Sequence, residues 1–271
     1  MDCDLPLRAG YQERAIVRHR GPSAVHALDN VAEEVPVALV FNGISHAVMM
    51  ATPRDLEELA VGFALTEGIV RSESEIYDVE ARVLPAAAEV QLTIAQGAFM
   101  QMKERRRSLA GRTGCGVCGI ESLELLDLDP EPMAPAVLPD PLPPAIARAA
   151  RELREHQDLM RETGGVHAAA WCSRDGAVLR VFEDVGRHNG LDKLVGHLAM
   201  QGTDMRSGFV FLSSRASYEL ARKAARMQIP MLATISAPTS LAIDIARQAG
   251  LKLVSFCRED GFVEYTEVAH G

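Results

Sequence analysis

Several features that would assign this chain to a broad class are missing from its sequence. No run of about 18 apolar residues occurs, which excludes a transmembrane helix. The first 21 residues are charged and have no apolar signal core, so we expect a cytoplasmic protein without a membrane partner. An excess of positive charge is also missing: 28 basic residues face 37 acidic ones, and the formal net charge of -9 argues against a general nucleic-acid binder, which needs a broad cationic surface.

Cysteine is also scarce, and its count is odd. Five cysteines in an intracellular chain of 271 residues favour free thiols or metal ligands over a disulfide framework. Cys172 and Cys257 each follow an apolar strand pattern, which favours core positions for both. Cys115 and Cys118, in contrast, lie in the stretch Gly-Cys-Gly-Val-Cys-Gly at 114–119. Glycine adds no side chain that would shield the sulfurs, so this stretch is typical of an exposed loop with reactive thiols.

Charge upstream of this cysteine pair favours thiolate over thiol. The basic residues concerned are Lys103, Arg105, Arg106, Arg107 and Arg112. The alternative is that they form an exposed helix face.

The cysteine stretch admits several interpretations. It matches the dinucleotide fingerprint G-x-G-x-x-G, but no strand precedes it and no acidic residue follows about twenty residues later, so we reject nucleotide binding there. A closed zinc site would need two more ligands from elsewhere, and the chain has neither a second CxxC nor an H-x(3 to 5)-H motif. A thioredoxin-like site usually has proline between the cysteines, which this chain lacks. The zinc site and the thioredoxin-like site fit the sequence less well but stay open, beside an incidental loop and a sulfur-handling site.

The pattern before residue 129 predicts an arm and an α+β subdomain. Residues 1–34 have no clear period and are interpreted as a partly ordered arm; the subdomain extends over 35–128 and contains the cysteine loop. Two apolar runs joined by Asn42-Gly43 predict a β-hairpin. Thr52 is predicted to cap a helix that ends before Gly68. Further strands are predicted over 76–84 and 89–94, and a helix over 121–126.

Proline then separates this subdomain from a second one. Seven of the fourteen prolines lie between 129 and 144, which excludes helix and central strand there and predicts a linker. The second domain, 145–271, begins with a predicted helix over 146–160 and two strands over 166–172 and 177–182. From 187 onward apolar strands alternate with single helices, which predicts an α/β domain with a parallel sheet covered on both faces. The fold class is therefore α/β, with the α+β subdomain first.

Polar residues concentrate at the strand-to-helix turns of this second domain. Such turns expose backbone N–H groups at helix N-termini, where phosphate binds. Ordinary capping explains one such turn, but two turns and a later polar segment predict a phosphate-bearing ligand, with Arg215 and Arg258 as charge partners. His167 and His188 lie at similar positions, and capping with a solvated histidine is the alternative for 183–189. The predicted ligand-binding residues are Ser213, Arg215, Ser236, Thr239, Phe256, Cys257, Arg258, Glu259, Asp260 and Gly261.

The stretches at 52–63, 112–119, 163–167 and 183–189 together resemble the formate dehydrogenase accessory sulfurtransferase family, FdhD. The resemblance covers about residues 35 to 266. It implies a cytoplasmic homodimer that accepts persulfide sulfur from a cysteine desulfurase. The sulfur then passes to the bis(molybdopterin guanine dinucleotide) form of the molybdenum cofactor, which serves formate dehydrogenase. It also implies that Cys115 carries the persulfide, that Cys118 assists it, and that 256–261 binds the cofactor, whose ends guanine nucleotides can mimic.

The same resemblance implies a cytidine-deaminase-like fold for the second domain. Zinc deaminase chemistry is not expected, because no histidine is followed two residues later by glutamate and the CxxC lacks a preceding proline. We expect no structural metal. Two other functions stay open: a chaperone that delivers the cofactor without handling sulfur, and a dithiol oxidoreductase that cycles a Cys115–Cys118 disulfide.

Overall fold

A computed structural model of the chain describes residues 10–107, 130 and 132–266. Cys3, Cys115, Cys118, Arg112 and the helix predicted over 121–126 lie outside the described residues. No helix within the described part is long and apolar enough to cross a membrane.

The first described segment is a β-hairpin, which lies within the segment 1–34 that the sequence predicts as a partly ordered arm. Strand β1 (Tyr11–Arg20) pairs antiparallel with β2 (Ser23–Ala32) along its whole length. Most side chains of both strands are exposed on either face, including the apolar Val17, Val25 and Leu28. With neither face buried, the sequence has no alternation of apolar and polar residues from which a strand could be predicted.

A four-stranded sheet follows, in the order β4-β3-β6-β5. Its strands are β3 (Val35–Phe41), β4 (Ile44–Ala51), β5 (Ile76–Val83) and β6 (Ala88–Ile94). Positive φ angles at Asn42 and Gly43 close the predicted hairpin between β3 and β4. The prediction of these four strands is thus confirmed.

Helix α1 (Leu56–Thr66) packs on this sheet, but Thr52 does not cap it. The N-cap is Asp55, in a left-handed conformation and without a side-chain hydrogen bond, while Thr52 is fully buried. The capping prediction was wrong because a buried partner 132 residues away along the chain binds the Thr52 backbone instead, as described below. Helix α2 (Gln96–Arg107) follows β6, so the basic residues up to Arg107 do lie on a helix.

The second half is built on a six-stranded sheet in the order β12-β11-β10-β9-β7-β8. Strands β9, β10 and β11 are parallel, as the sequence predicts, whereas β7 and β12 run antiparallel to their neighbours. The parallel pairing predicted from the alternation of strands and helices is thus confirmed for β9, β10 and β11. The strands are β7 (His167–Ser173), β8 (Val178–Asp184), β9 (Gly208–Leu212), β10 (Met231–Thr234), β11 (Lys252–Ser255) and β12 (Val263–Glu264).

Five helices accompany this sheet. They are α3 (Leu142–Glu155), α4 (Asp158–Thr163), α5 (Arg187–Met200), α6 (Tyr218–Arg226) and α7 (Ser240–Ala249). Pro143 and Pro144 lie in the first turn of α3, so the exclusion of helix up to residue 144 was wrong by three residues. The reason is that the first turn has no intrahelical partner for its N–H groups, and proline is tolerated there.

Alternate side chains of the six-stranded sheet face two hydrophobic cores. Phe209 and Phe211 belong to a smaller core with Ile146 and Leu153 of α3. Val210 lies in the larger core, which also contains side chains of α1, α5, α6, α7 and the four-stranded sheet. Residues from both sides of the proline-rich segment therefore share one core.

Helices α1 and α5 cross at two glycines. A Cβ atom on Gly62 would lie 1.7 Å from the carbonyl oxygen of Asp192, and one on Gly196 would lie 2.0 Å from the carbonyl oxygen of Glu58. Only glycine permits this approach, which fixes the position of α5 against α1.

A buried charged network joins the same helices to α6. Lys223 Nζ lies 2.7 Å from Asp192 Oδ2 and 3.0 Å from Glu67 Oε1, and Arg222 lies 2.7 Å from Glu67 Oε2. Burial acts to raise the pKa of Glu67, but the two cations outweigh it and lower this pKa to about 2. Glu67 is therefore held as a carboxylate by its partners.

Candidate functional site

The strand ends of the second domain converge at one edge of the six-stranded sheet. Strand β8 is antiparallel to β7, and β7 is antiparallel to β9, so β8 runs in the same direction as β9, β10 and β11. The carboxyl ends of these four strands and the amino end of β7 thus lie together. This edge of an α/β sheet is where ligands usually bind.

The turns after β9 and β10 form one hydrogen-bonded unit. Ser236 N donates to Ser214 O at 3.4 Å, and Thr239 N donates to Ala216 O at 3.0 Å. The hydroxyl of Thr239 accepts from Ala242 N at 3.2 Å and caps α7. Capping thus accounts for Thr239, as the sequence alternative allows for one of the two turns.

Ser213 and Arg215 behave differently from each other. The Ser213 hydroxyl accepts from Ala168 N at 2.7 Å and so extends the pairing of β7 with β9. Arg215 is exposed, and the ion pairs of the described residues do not include it. Ser213 therefore shapes the turn, and Arg215 supplies positive charge.

The segment 256–261 follows β11 at the same edge. Phe256 has a φ of 56° and a side chain that is 43% exposed, an unusual combination for a large aromatic residue. Cys257 is buried in the smaller core, and burial raises the pKa of its thiol to about 12. Its thiol is therefore inert, which confirms the core position predicted for Cys257. Cys172 is likewise buried.

Arg258 holds this segment against the neighbouring turn. Its Nη1 donates to Ile235 O at 2.7 Å and to Cys257 O at 2.8 Å, and its backbone N–H donates to Gly261 O at 2.8 Å. Both side-chain acceptors are neutral carbonyl groups, so its charge is not neutralised by these bonds. Glu259 pairs instead with Arg154, and Asp260 is exposed.

At the other end of the edge, Asp184 organises the turn from β8 into α5. Its carboxylate is fully buried and accepts four hydrogen bonds. The donors are Thr52 N at 3.0 Å, Gly186 N at 2.7 Å, Asn189 Nδ2 at 2.9 Å and Lys193 Nζ at 2.6 Å. The network ties the strand-to-helix connection of the first sheet to the N-terminus of α5. This network connects residues of both halves of the chain, whereas the helix cap considered for 183–189 would be local to the start of α5.

Most polar side chains of the 183–189 motif are thus structural. Glu183 accepts from Leu159 N at 2.7 Å and from Met160 N at 2.9 Å, at the start of α4. Arg187 and His188 do not take part in this network. Both lie between Gly186 and Asn189, which Asp184 fixes.

The His188 side chain is only 23% exposed and has two partners, unlike the solvated histidine that the alternative for this motif expects. Its Nε2 lies 2.8 Å from Glu219 Oε2 and 3.3 Å from Ser217 Oγ, both in or beside α6. Burial acts to raise the pKa of Glu219, but His188 outweighs it, and this pKa lies below its usual range. The pair joins the N-termini of α5 and α6.

His167 begins β7, between β8 and β9, and pairs in register with Asp184. It is half-buried. Burial lowers the pKa of His167, and the nearby positive charges of Arg187, His188 and Arg215 lower it further. His167 is therefore favoured in its neutral form.

Sequence reasoning missed Lys193 and Glu219. Both are charged residues within helices, a pattern that normally marks a solvated face, and no local signal distinguishes them. Within the described ranges, no group of three or more His, Cys, Asp or Glu side chains is arranged to hold a metal ion.

Together, these elements define a mixed α/β protein in which an exposed aromatic side chain, Phe256, and the exposed Arg215 and Arg258 lie along one edge of the six-stranded sheet. The FdhD/NarQ family model matches residues 32–270. The chain belongs to this family, as the sequence resemblance predicted.

Similar proteins agree with this assignment along nearly the whole chain. A sulfur carrier protein FdhD of Chromobacterium violaceum is 67% identical over 258 residues, covering 95% of this chain and 96% of that protein. A sulfur carrier protein FdhD of Burkholderia mallei is 63% identical over 262 residues, with 95% and 96% covered.

A solved structure shares the fold. The crystal structure of a putative formate dehydrogenase accessory protein from Desulfotalea psychrophila superposes with a TM-score of 0.75 at 24% identity, covering 97% of this chain and 99% of that one.

Proposed function

We propose that this protein is a sulfur carrier that moves persulfide sulfur from a cysteine desulfurase to the bis(molybdopterin guanine dinucleotide) form of the molybdenum cofactor, in support of formate dehydrogenase. It would work as a cytoplasmic homodimer, and the cofactor would be its bound substrate. The relatives named sulfur carrier proteins support the sulfur role, since 67% identity extends over 95% of the chain.

The proposal that this protein binds the cofactor rests on the side chains at the edge of the six-stranded sheet. Phe256 offers an exposed ring on which a guanine base can stack, and Arg258 and Arg215 offer charges that no carboxylate of the described residues neutralises. The turns at 213–217 and 236–240 add helix N-termini, which favour phosphate. Ring, cation and helix ends thus match the base and phosphates of a guanine nucleotide.

In the proposed sulfur step, the Cys115 thiolate attacks the terminal sulfur of the donor's persulfide. A new S–S bond forms at Cys115, the S–S bond of the donor breaks, and the donor cysteine leaves as a thiolate, so that one sulfur atom moves without an added oxidant. Cys118 would assist this transfer. Cys172 and Cys257 are unsuited because both thiols are buried with raised pKa values.

Mass spectrometry tests the sulfur role. The full chain is incubated with a cysteine desulfurase and cysteine, and alkylated peptides are mapped. We expect one added sulfur at Cys115, loss of this sulfur in Cys115→Ala, and normal loading in the control Cys3→Ala. Full loading of Cys115→Ala would refute the assignment. Formate dehydrogenase activity supported by Cys115→Ala would instead favour a chaperone, and a Cys115–Cys118 disulfide that turns over with a reductant would favour an oxidoreductase.

Calorimetry with GDP tests the cofactor site. Because base stacking contributes about 1–3 kcal/mol, Phe256→Ala should weaken GDP about tenfold or more. Arg258→Ala should also weaken it. Arg247→Ala is the matched control, since Arg247 lies in the last turn of α7, away from this edge. Equal affinities in all three variants would refute the placement.

A further inference from the structure

The β1–β2 hairpin is a surface of the molecule that the edge of the six-stranded sheet does not involve. The family model begins at residue 32, so all of the hairpin except its last residue lies outside that match. Each strand has ten residues and is about 33 Å long. At its base, Asn30 Nδ2 donates to Glu162 Oε2 at 2.9 Å. A two-stranded hairpin is marginally stable in water on its own, so packing against another surface would stabilise one of this length.

The two faces of the hairpin differ in charge. The antiparallel register places all three arginines of β1 on one face, which we call the arginine face. The opposite face has no arginine and contains the exposed Val17 and Leu28. The arginine face has one carboxylate, Asp29, which pairs with Arg18 at 3.2 Å, so the net charge of this face is positive. Its charged and exposed apolar residues are Arg14, Arg18, Arg20, Val25, Asp29 and Val31.

The face of the four-stranded sheet that points away from α1, which we call the outer face, has the opposite charge. The strand register places three carboxylates and one arginine on it, beside two apolar side chains. Val48 and Met50 are 55% and 49% exposed and belong to neither hydrophobic core of the described residues. An exposed apolar patch with a polar rim is typical of a protein–protein contact. The residues of this patch are Val48, Met50, Asp78, Glu80, Arg82 and Glu89.

Both faces separate their charged and apolar side chains into stripes. On the hairpin, the arginines belong to β1 and the valines to β2. On the sheet, the carboxylates belong to β5 and β6, and the exposed apolar side chains belong to β4 at the other edge. A hairpin that lies along the strands of the sheet therefore directs its arginines toward the carboxylates and its valines toward Val48 and Met50. Since the described residues of the same chain leave both faces exposed, the hairpin that fits this sheet comes from another molecule.

We propose that the arginine face of the hairpin docks on the outer face of the four-stranded sheet of a second copy of this chain. One chain carries both complementary surfaces, so two copies exchange hairpins about a two-fold axis and form two identical contacts. The inference rests on the homodimer of the proposed function and names the surface by which it forms. It depends neither on sulfur transfer nor on ligand binding.

Sedimentation velocity of the full chain over a range of concentrations tests this surface. We expect the wild type to be a dimer that rising salt weakens, because opposite charges meet at both contacts. Val25→Asp should weaken the dimer at least about tenfold, because it buries an unpaired carboxylate at both contacts. Val17→Asp is the matched control, since Val17 lies in the same hairpin on the opposite face, and it should leave the dimer unchanged.

Charge reversal tests whether the two faces meet each other. The hairpin variant combines Arg18→Glu with Arg20→Glu, and the sheet variant combines Asp78→Lys with Glu80→Lys. Each variant alone should weaken the dimer at least about tenfold, because like charges then meet at both contacts. An equimolar mixture of the two should restore the dimer, since one contact is then wild type and the other has its charges exchanged. If circular dichroism shows that the sheet variant does not fold, Val48→Asp takes its place in the mixture.

The proposal would be overturned by a monomeric wild type, by equal effects of Val17→Asp and Val25→Asp, or by a mixture of the hairpin and sheet variants that stays monomeric. Sulfur loading of Cys115, measured on the same samples, separates this outcome from that of the sulfur role. A wild type that dimerises through these faces but takes up no sulfur would refute the sulfur role alone.

Discussion

Replacement of Lys193 by methionine tests whether the buried pair with Asp184 holds the α5 turn in place. Methionine fills a similar volume without the charge. The substitution leaves Asp184 with three donors, Thr52 N, Gly186 N and Asn189 Nδ2, and removes the bond from Lys193 to Thr52 O. Breaking one side of a buried pair costs about 3–5 kcal/mol.

The three remaining donors place the expected loss near the lower end of that range, and Thr52 O still accepts from Arg54 N at 2.8 Å, so its carbonyl is not left unpaired. We therefore expect Lys193→Met to lower the free energy of unfolding by about 3 kcal/mol. With an m value of about 2–3 kcal/mol/M, the urea midpoint should fall by about 1–1.5 M at pH 7. Lys103→Met is the control, since the Lys103 ammonium lies 5.5 Å over the Phe99 ring and its loss should cost less than about 1 kcal/mol.

A double-mutant cycle sharpens the result. Asp184→Asn combined with Lys193→Met removes both charges, so the double variant should lose less than the sum of the single losses. A loss below about 1 kcal/mol in Lys193→Met, or strict additivity in the cycle, would show that the pair does not stabilise the turn.

Three further outcomes follow from the same scaffold. The pKa of Glu67 is about 2 in the folded protein against an ordinary 4.5, so its contribution to the free energy of unfolding is present above pH 4.5 and is lost as the pH falls toward 2. Glu67→Gln should therefore lower the free energy of unfolding, measured with urea, by about 2–3 kcal/mol at pH 7 and by less at pH 3.5. Gly62→Ala should lower the free energy of unfolding by more than about 3 kcal/mol, because the new Cβ would clash with a carbonyl oxygen. Gly97→Ala, whose new Cβ meets nothing within 4 Å, should be neutral or stabilising. Similar thermal midpoints for the two variants would contradict the close crossing. Thr239→Ala should cost about 1 kcal/mol through loss of the α7 cap, and Ser217→Ala, which removes no capping bond, should cost less; the reverse order in urea unfolding would argue against the cap.

The sequence predicted the regular elements best where a periodic pattern reflected burial. The apolar runs at β9, β10 and β11 and the Asn42-Gly43 hairpin were predicted correctly because each signal is local. The hairpin of β1 and β2 was missed because both of its faces are exposed. The direction of β7 relative to β9 could not be predicted either, since the pairing of these strands depends on contacts between residues distant in the chain.

In the candidate site, too, features with a local sequence signal were predicted and features that depend on distant contacts were not. The turns carrying Arg215 and Arg258 were predicted from local composition, and the structure brings both to one edge. The role of Thr52 could not be predicted, because the pattern of threonine, proline and acid resembles a cap while its partner Asp184 lies far along the chain. Lys193 gave no signal, since a lysine in a helix ordinarily lies in solvent.

The crossing of α1 and α5 through Gly62 and Gly196 has a consequence for work with fragments. A fragment that begins at Leu142 would contain every turn at the edge where we propose ligand binding, yet it would uncover the groove at Gly196 and leave Lys193 without the Thr52 carbonyl. The N-terminus of α5 would then lose the support that positions Arg187 and His188. Binding measured on such a fragment would describe a different surface, so truncation is the wrong way to isolate this edge and point substitution in the full chain is the right one.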